Sequence, residues 1–211
     1  MKNFDAMIAG YRRFREQGWA EQRQRWSDLA EGQHPGVMVI ACSDSRVDPA
    51  IVFDARPGEM FVVRNIGALV PPFEPDANYH GVSAALEFGV TQLEVSDLVV
   101  MGHGFCGGCA AALTGQFDHA DSGRGHFINH WVEMLAPARD QVRAAHPTLD
   151  RPAFEAMELA GVRVSLANLR TFPWIVERER AGTLRLHGTC FAVADGVLRV
   201  LDEASDTFSP A

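Results

Sequence analysis

Cys42, Asp44 and Arg46 lie within five residues, at the end of an apolar run. His103 and Cys106, three apart, close a second apolar run about sixty residues later. Two sulfurs and an imidazole at the ends of two such runs are the donor set of a catalytic zinc site, in which three protein ligands leave a fourth position for water. The carboxylate and guanidinium beside the first sulfur can form a charge-assisted pair near the metal, or Asp44 can close the site as a fourth ligand.

Two other chemistries compete for the same turn. Gly102-His-Gly104-Phe-Cys-Gly107 matches the G-x-G-x-x-G pattern of dinucleotide sites after a strand, but His103 and Cys106 occupy the space where a pyrophosphate needs small groups. Cys106-Gly-Gly-Cys109 is a C-x-x-C, which suits thiol–disulfide exchange, yet that use leaves His103, Cys42, Asp44 and Arg46 without a role. Taken singly, each cysteine and the histidine could be an ordinary buried side chain. Only a metal employs Cys42, His103 and Cys106 together.

The elements that must position these groups are legible as punctuation between apolar runs. Residues 3–18 read as an amphipathic helix ended by Gly18, and 19–31 as a second helix stopped by Gly32. The short apolar runs 37–41, 60–63 and 97–101 read as buried strands, with a helix over 79–95 between the second and third. Such a crossover builds a parallel sheet and gathers functional groups outside the carboxyl ends of the strands, where Cys42 and His103 stand. Residues 118–125 read as a loop, 127–142 and 153–170 as helices, and 184–193 with 197–201 as a hairpin turned by Asp195-Gly196. Pro137 and Pro173 mark breaks or helix ends. We therefore expect an α/β fold, a mainly parallel central β-sheet flanked by helices, as a single domain over 1–211.

Composition limits the partners. The chain has 211 residues, 47% hydrophobic, a formal charge of −8 and a single lysine, Lys2, so it offers no basic surface for nucleic acid. No apolar run reaches the roughly twenty residues that span a bilayer. Four cysteines in a chain of this length, with no cleavable leader, point to the cytoplasm rather than to a disulfide framework. His119, His126 and His130 are given no role, and Cys109 and Cys190 are not needed for a metal; Cys109 is expected to face inward.

The motifs C-x-D-S-R and H-x-x-C-G-G, here Cys42 to Arg46 and His103 to Gly108, resemble those of the beta-class carbonic anhydrases. The segments Phe61-Val-Val-Arg64-Asn65-Ile66-Gly, Leu69-Val-Pro71-Pro72 and Gly81 to Phe88 extend the likeness. The resemblance implies one Zn2+ per chain on Cys42, His103 and Cys106, with Asp44 and Arg46 as a catalytic dyad. It further implies a substrate site of Gln33, Phe61, Ile66, Phe88 and Gly107, with Gln33 the orienting amide of the plant-like branch. Carbon dioxide and bicarbonate are the implied substrates. Carbon disulfide or carbonyl sulfide hydrolysis on the same zinc, and a noncatalytic zinc scaffold, are the alternatives. It also implies a homodimer or dimer-based oligomer, with residues 1–32 as a helical arm on the neighbouring protomer and 33–211 as the α/β zinc-binding core. Val39 and Phe88 stand where an allosteric branch carries a tryptophan and a tyrosine, so no inhibitory bicarbonate site of that kind is expected. Asp44 is expected to pair with Arg46.

Overall fold

The computed structural model describes residues 3–76 and 78–211. They form an N-terminal unit ending at His34 and a larger unit, Pro35–Ala211. The first holds α1 (Phe4–Glu16), α2 (Gly18–Glu21) and α3 (Arg23–Glu31). The Asn3 side chain accepts the Ala6 N–H to start α1, and Arg13 and Arg15 complement its carboxyl end. The expected second helix is interrupted at Gln22 (φ −108°, ψ 25°), and Gly18 opens α2 instead of only closing α1. Across that break the Phe14 ring meets the edge of Trp26 at 5.8 Å. Phe4, Met7, Tyr11 and Phe14 form one stripe of α1, 43–73% exposed.

The larger unit runs β1 (Val37–Cys42), α4 (Pro49–Val52), β2 (Met60–Asn65), α5 (Gly81–Glu87), β3 (Asp97–His103), α6 (Gly107–Thr114), α7 (His126–Val132), α8 (Ala136–Ala145), α9 (Arg151–Leu169), α10 (Pro173–Arg180), β4 (Arg185–Ala192), β5 (Val197–Asp202) and β6 (Thr207–Pro210). The sheet order is β2-β1-β3-β4-β5-β6; the first four strands are parallel and the last two antiparallel.

Several elements differ from expectation, each for a local reason. The helix expected over 79–95 is α5 followed by a π-type turn, Phe88–Gln92. A Cβ at Gly89 would lie 2.6 Å from Met38 Sδ, so the backbone approaches the sheet too closely there for a regular helix face with side chains. The helix expected over 127–142 is split by a 3-10 turn, Glu133–Leu135, with Pro137 in the first turn of α8, where its missing N–H costs nothing. Pro173 likewise begins a helix, α10, where a break or helix end is expected, and β6 is a four-residue strand too short to show an alternation.

Alternation along β1 and β3 divides the core. Val39, Ala41 and Met101 join Leu113, Leu135 and Met157 on one face, whereas Met38, Ile40, Leu98 and Val100 join Leu86, Leu166 and Ile175 on the other. Each fully buried aliphatic side chain contributes about 1.5–3 kcal/mol, so this interleaving holds β1 and β3 in register. The register, Val37 beside Asp97 through Ala41 beside Met101, makes Cys42 and His103 emerge together at one edge of the core.

At the opposite ends of the strands Asp97 accepts from Arg185 Nε at 2.8 Å and Nη2 at 2.9 Å, from Ser96 Oγ at 2.7 Å, and faces His187 Nε2 at 2.8 Å. The Arg185 guanidinium holds the Asp97 carboxyl well below the usual carboxylate range. A depressed folded-state pKa stabilises above the unfolded value, about 3.9, and that contribution is lost progressively as pH falls from there through the lower folded-state pKa. Arg185 is 70% exposed, so the contribution is screened to about 1 kcal/mol. Asp97→Asn should therefore lower the unfolding free energy by about that amount at pH 7, with the gap closing below about pH 4 in urea titrations. A gap unchanged at pH 3 would contradict this account.

Candidate metal centre

Cys42 ends β1, His103 ends β3, and Cys106 is the N-cap residue of α6. Their ligand atoms lie within 4.8 Å of one another, and they are the one such group among the described residues. All three are buried, with 5%, 1% and 2% exposure. His103 Nδ1 lies 2.8 Å from the Gly104 carbonyl, which can only accept, so the proton is on Nδ1 and the lone pair on Nε2. That Nε2 is buried with no hydrogen-bond partner among the described residues, a costly state unless a cation takes the lone pair.

The sulfurs carry the same message. The Cys106 side chain and burial push the Cys42 thiol up to about 12, and the Cys109 side chain and burial push Cys106 to about 12. Two crowded, buried sulfurs thus stay protonated until a cation repays their ionisation. Borderline-soft zinc fits two thiolates and an imidazole, so Cys42, His103 and Cys106 would hold it, with Asp44 beside the cluster.

Asp44 Oδ1 accepts the Arg46 backbone N–H and Nε, each at 2.9 Å, and Oδ2 accepts Nη2 at 2.7 Å. This fork holds the Asp44 carboxyl well below the usual carboxylate range. Oδ2 also lies 4.0 Å from His103 Nε2, beside the ligand cluster. Arg46 Nη2 reaches on to the Phe105 carbonyl at 2.9 Å, tying the first motif to the second.

The loop after β1 is shaped by a residue outside both motifs. Arg64, on β2, donates to the Cys42 carbonyl (2.9 Å), the Asp44 carbonyl (2.7 Å) and the Val47 carbonyl (3.3 Å), and pairs with Asp48 at 2.9 Å. Arg64 is thus a template on which the Cys42–Asp48 turn is built. An arginine inside an apolar strand was the available signal.

A cleft of 410 Å³ opens beside Cys42 and Asp44, walled by Ile66, Gly107, Gly108, Phe117 and Ile128. Ile66 and Gly107 are therefore beside the ligands. Phe61 and Phe88 are not part of this cleft. Strand alternation sends Phe61 to the opposite face of the sheet, against the core of Met38 and Ile40, where its ring meets Phe88 at 5.8 Å. Gln33 belongs to the N-terminal unit and is exposed.

Cys109 is 3% exposed, with its sulfur 3.5 Å from the place a Gly161 Cβ would take, and Cys190 is 5% exposed on β4. Of the glycines in the dinucleotide-like pattern, Gly102 serves protein packing, since a Cβ there would lie 2.7 Å from Val162 Cγ2, whereas a Cβ at Gly107 would meet nothing within 4 Å. Outside the pattern, a Cβ at Gly108 would lie 2.9 Å from Ile66 Cγ2 and 3.2 Å from Gly67 N.

A sequence-family profile described as carbonic anhydrase matches residues 37–198, which includes every ligand and the Asp44–Arg46 pair. Beta carbonic anhydrase 5, chloroplastic, of Arabidopsis thaliana is 37% identical over 194 residues, covering 91% of this chain; the chain spans 62% of that relative's length. The structure of the beta-carbonic anhydrase CcaA superposes with a TM-score of 0.90 at 28% identity, covering 98% of this chain and 91% of that one. A tetrameric beta-carbonic anhydrase of the filamentous ascomycete Sordaria macrospora does so with a TM-score of 0.79 at 26% identity, covering 94% and 96%. With its zinc-ligand set at the carboxyl ends of β1 and β3 and these likenesses over most of its length, the chain belongs to the beta carbonic anhydrase family.

Proposed function

We propose that the chain catalyses the reversible hydration of carbon dioxide to bicarbonate and a proton. The observation that carries this reading is His103 Nε2, buried with no hydrogen-bond partner among the described residues, grouped with Cys42 and Cys106 beside an Asp44 held by the Arg46 fork. Cys42, His103 and Cys106 would hold zinc, which would supply a Lewis acid able to lower the pKa of water toward neutral pH. The chain's own groups do the rest. Asp44, kept ionised by Arg46, can only accept, so it takes the proton-side hydrogen bond of the oxygen nucleophile and turns a lone pair toward the cleft.

Ile66, Phe117 and Ile128 give the cleft an apolar wall suited to a small nonpolar gas. The first turn of α6, at Gly107 and Gly108, contributes backbone N–H groups and a positive helix end where charge develops in bicarbonate. Gln33 is the proposed donor to a substrate oxygen, on the strength of the family likeness. The sulfurs neutralise the metal's charge, which places the pH optimum on the alkaline side.

A homodimer is the proposed assembly unit, supported by the exposed stripe of Phe4, Met7, Tyr11 and Phe14 on α1, an apolar face that a second copy would cover. In this reading the helical arm serves assembly and the remainder acts as one catalytic domain. Four buried free cysteines, two of them needed as thiolates, support a reducing compartment, the cytoplasm. Among the described residues no helix is long and apolar enough to cross a membrane.

Three measurements test the proposal. Calorimetric titration with zinc should give one metal per chain and release about two protons near neutral pH, so that apparent affinity rises steeply with pH; a pH-independent affinity would contradict the thiol assignment. Zinc-loaded protein should hydrate carbon dioxide in stopped flow, and Asp44→Asn should retain zinc while losing about a hundredfold or more in kcat/KM; an unimpaired Asp44→Asn enzyme would remove Asp44 from the mechanism. In sedimentation equilibrium the protein should be a dimer or a multiple of one, and Met7→Glu with Tyr11→Glu should dissociate it; a monomeric wild type would contradict the assembly.

A further inference from the structure

The centre described above leaves one buried carboxylate unused. Glu158 lies in the middle of α9 and is 4% exposed. Its Oε1 accepts the backbone N–H of the ligand Cys106 at 3.3 Å. Its partner is Arg151, one face of α9 and two helical turns earlier, which donates Nη1 to Oε1 at 2.9 Å and Nη2 to Oε2. A buried carboxylate on the backbone of a zinc ligand is tolerable only with such a neutralising cation.

Arg151 also acts on the other side of the same turn. Its guanidinium carbon lies 4.2 Å from the centre of the Phe105 ring. Phe105 sits at φ +58°, a left-handed conformation that a phenylalanine adopts only when its surroundings hold it there. The carbonyl of that same residue receives Arg46 Nη2, and Arg46 in turn forks onto Asp44. Behind the turn a cavity of 230 Å³, bordered by Gly104, Phe105, Glu158, Cys190 and Arg199, removes close packing from that side. Gly104 is tied to the sheet there by its N–H, donated to the Phe191 carbonyl at 2.9 Å, and Phe105 and Cys106 are held by the polar and ring contacts from α9.

We propose that Arg151 and Glu158 are positioning residues: a charge-neutral clamp from α9 that fixes the 104–106 turn, and through it both the zinc ligand Cys106 and the Asp44–Arg46 pair. Glu158 acts on the Cys106 backbone, Arg151 on the Phe105 ring, and neither touches substrate. The inference deepens the zinc-hydratase reading and rests on it, but its test reads the metal and not the turnover.

The test compares zinc release to a chromogenic chelator, and the thiolate-to-metal charge-transfer band of the cobalt-substituted protein, in wild type, Glu158→Ala, Glu158→Gln and Arg151→Leu. Glu158→Ala should release zinc roughly ten- to a hundredfold faster and shift the cobalt band. Glu158→Gln, which keeps an acceptor for the Cys106 N–H, should recover most of that loss. Zinc release at the wild-type rate with an unshifted band in Glu158→Ala, or a lowered thermal midpoint as its sole effect, would overturn the clamp, as would Glu158→Gln releasing zinc as fast as Glu158→Ala. Should Glu158→Ala not fold, Arg151→Leu decides: release at least about tenfold faster supports the clamp and wild-type release overturns it. Wild-type protein that binds zinc yet hydrates no carbon dioxide would count against the proposed reaction alone, because the release rates still decide the clamp.

Discussion

The parallel pairing of β1 with β3 is the constraint from which the rest of the molecule follows. Cys42 and His103 are distant in sequence and become neighbours because Ala41 lies beside Met101 in adjacent strands that end together. A one-residue slip would move every β1 side chain into the packing positions of the other face and carry Cys42 out of line with His103, so the core and the ligand geometry are specified by the same register. Cys106 joins them because the chain leaves β3 through a three-residue turn into α6. Gly102 and Gly108 allow that turn to press against α9 and the Ile66 segment.

On that frame, the chemistry depends on charges held by backbone as much as by side chains. Arg64 gathers three carbonyls of the loop after β1, and the Phe105 carbonyl holds Arg46 from the second motif. Asp44 is consequently an acceptor of fixed direction. The buried sulfurs and the His103 lone pair form a site whose groups are unfavourable alone and compatible only around a cation, which couples metal binding to the integrity of the turn. The Arg151–Glu158 clamp belongs to the same logic, since it neutralises a buried acid that holds the backbone of the ligand Cys106.

What the sequence disclosed follows from how local each signal is. The three ligands and the Asp44–Arg46 pair sit in short motifs at the ends of apolar runs, and a parallel sheet presents just those ends; both were legible. Strand order was not, because β3 pairs with β1 across an intervening strand and helix. The likeness places Phe61 in a substrate wall; within this chain it packs on the core face of Met38 and Ile40, against Phe88. Gly89 concealed the end of α5, since its reason is the proximity of Met38 in space. Glu158 gives no local sign of its partnership with Cys106, although Arg151 seven residues earlier places an opposite charge on the same helical face.

The central claim is that Cys42, His103 and Cys106 together hold zinc. X-ray absorption at the zinc edge of the loaded protein tests it most directly. The account predicts a shell of two sulfurs and one imidazole nitrogen completed by a light scatterer, with one sulfur lost in Cys42→Ser. A shell without sulfur, or one unchanged by Cys42→Ser, would contradict it.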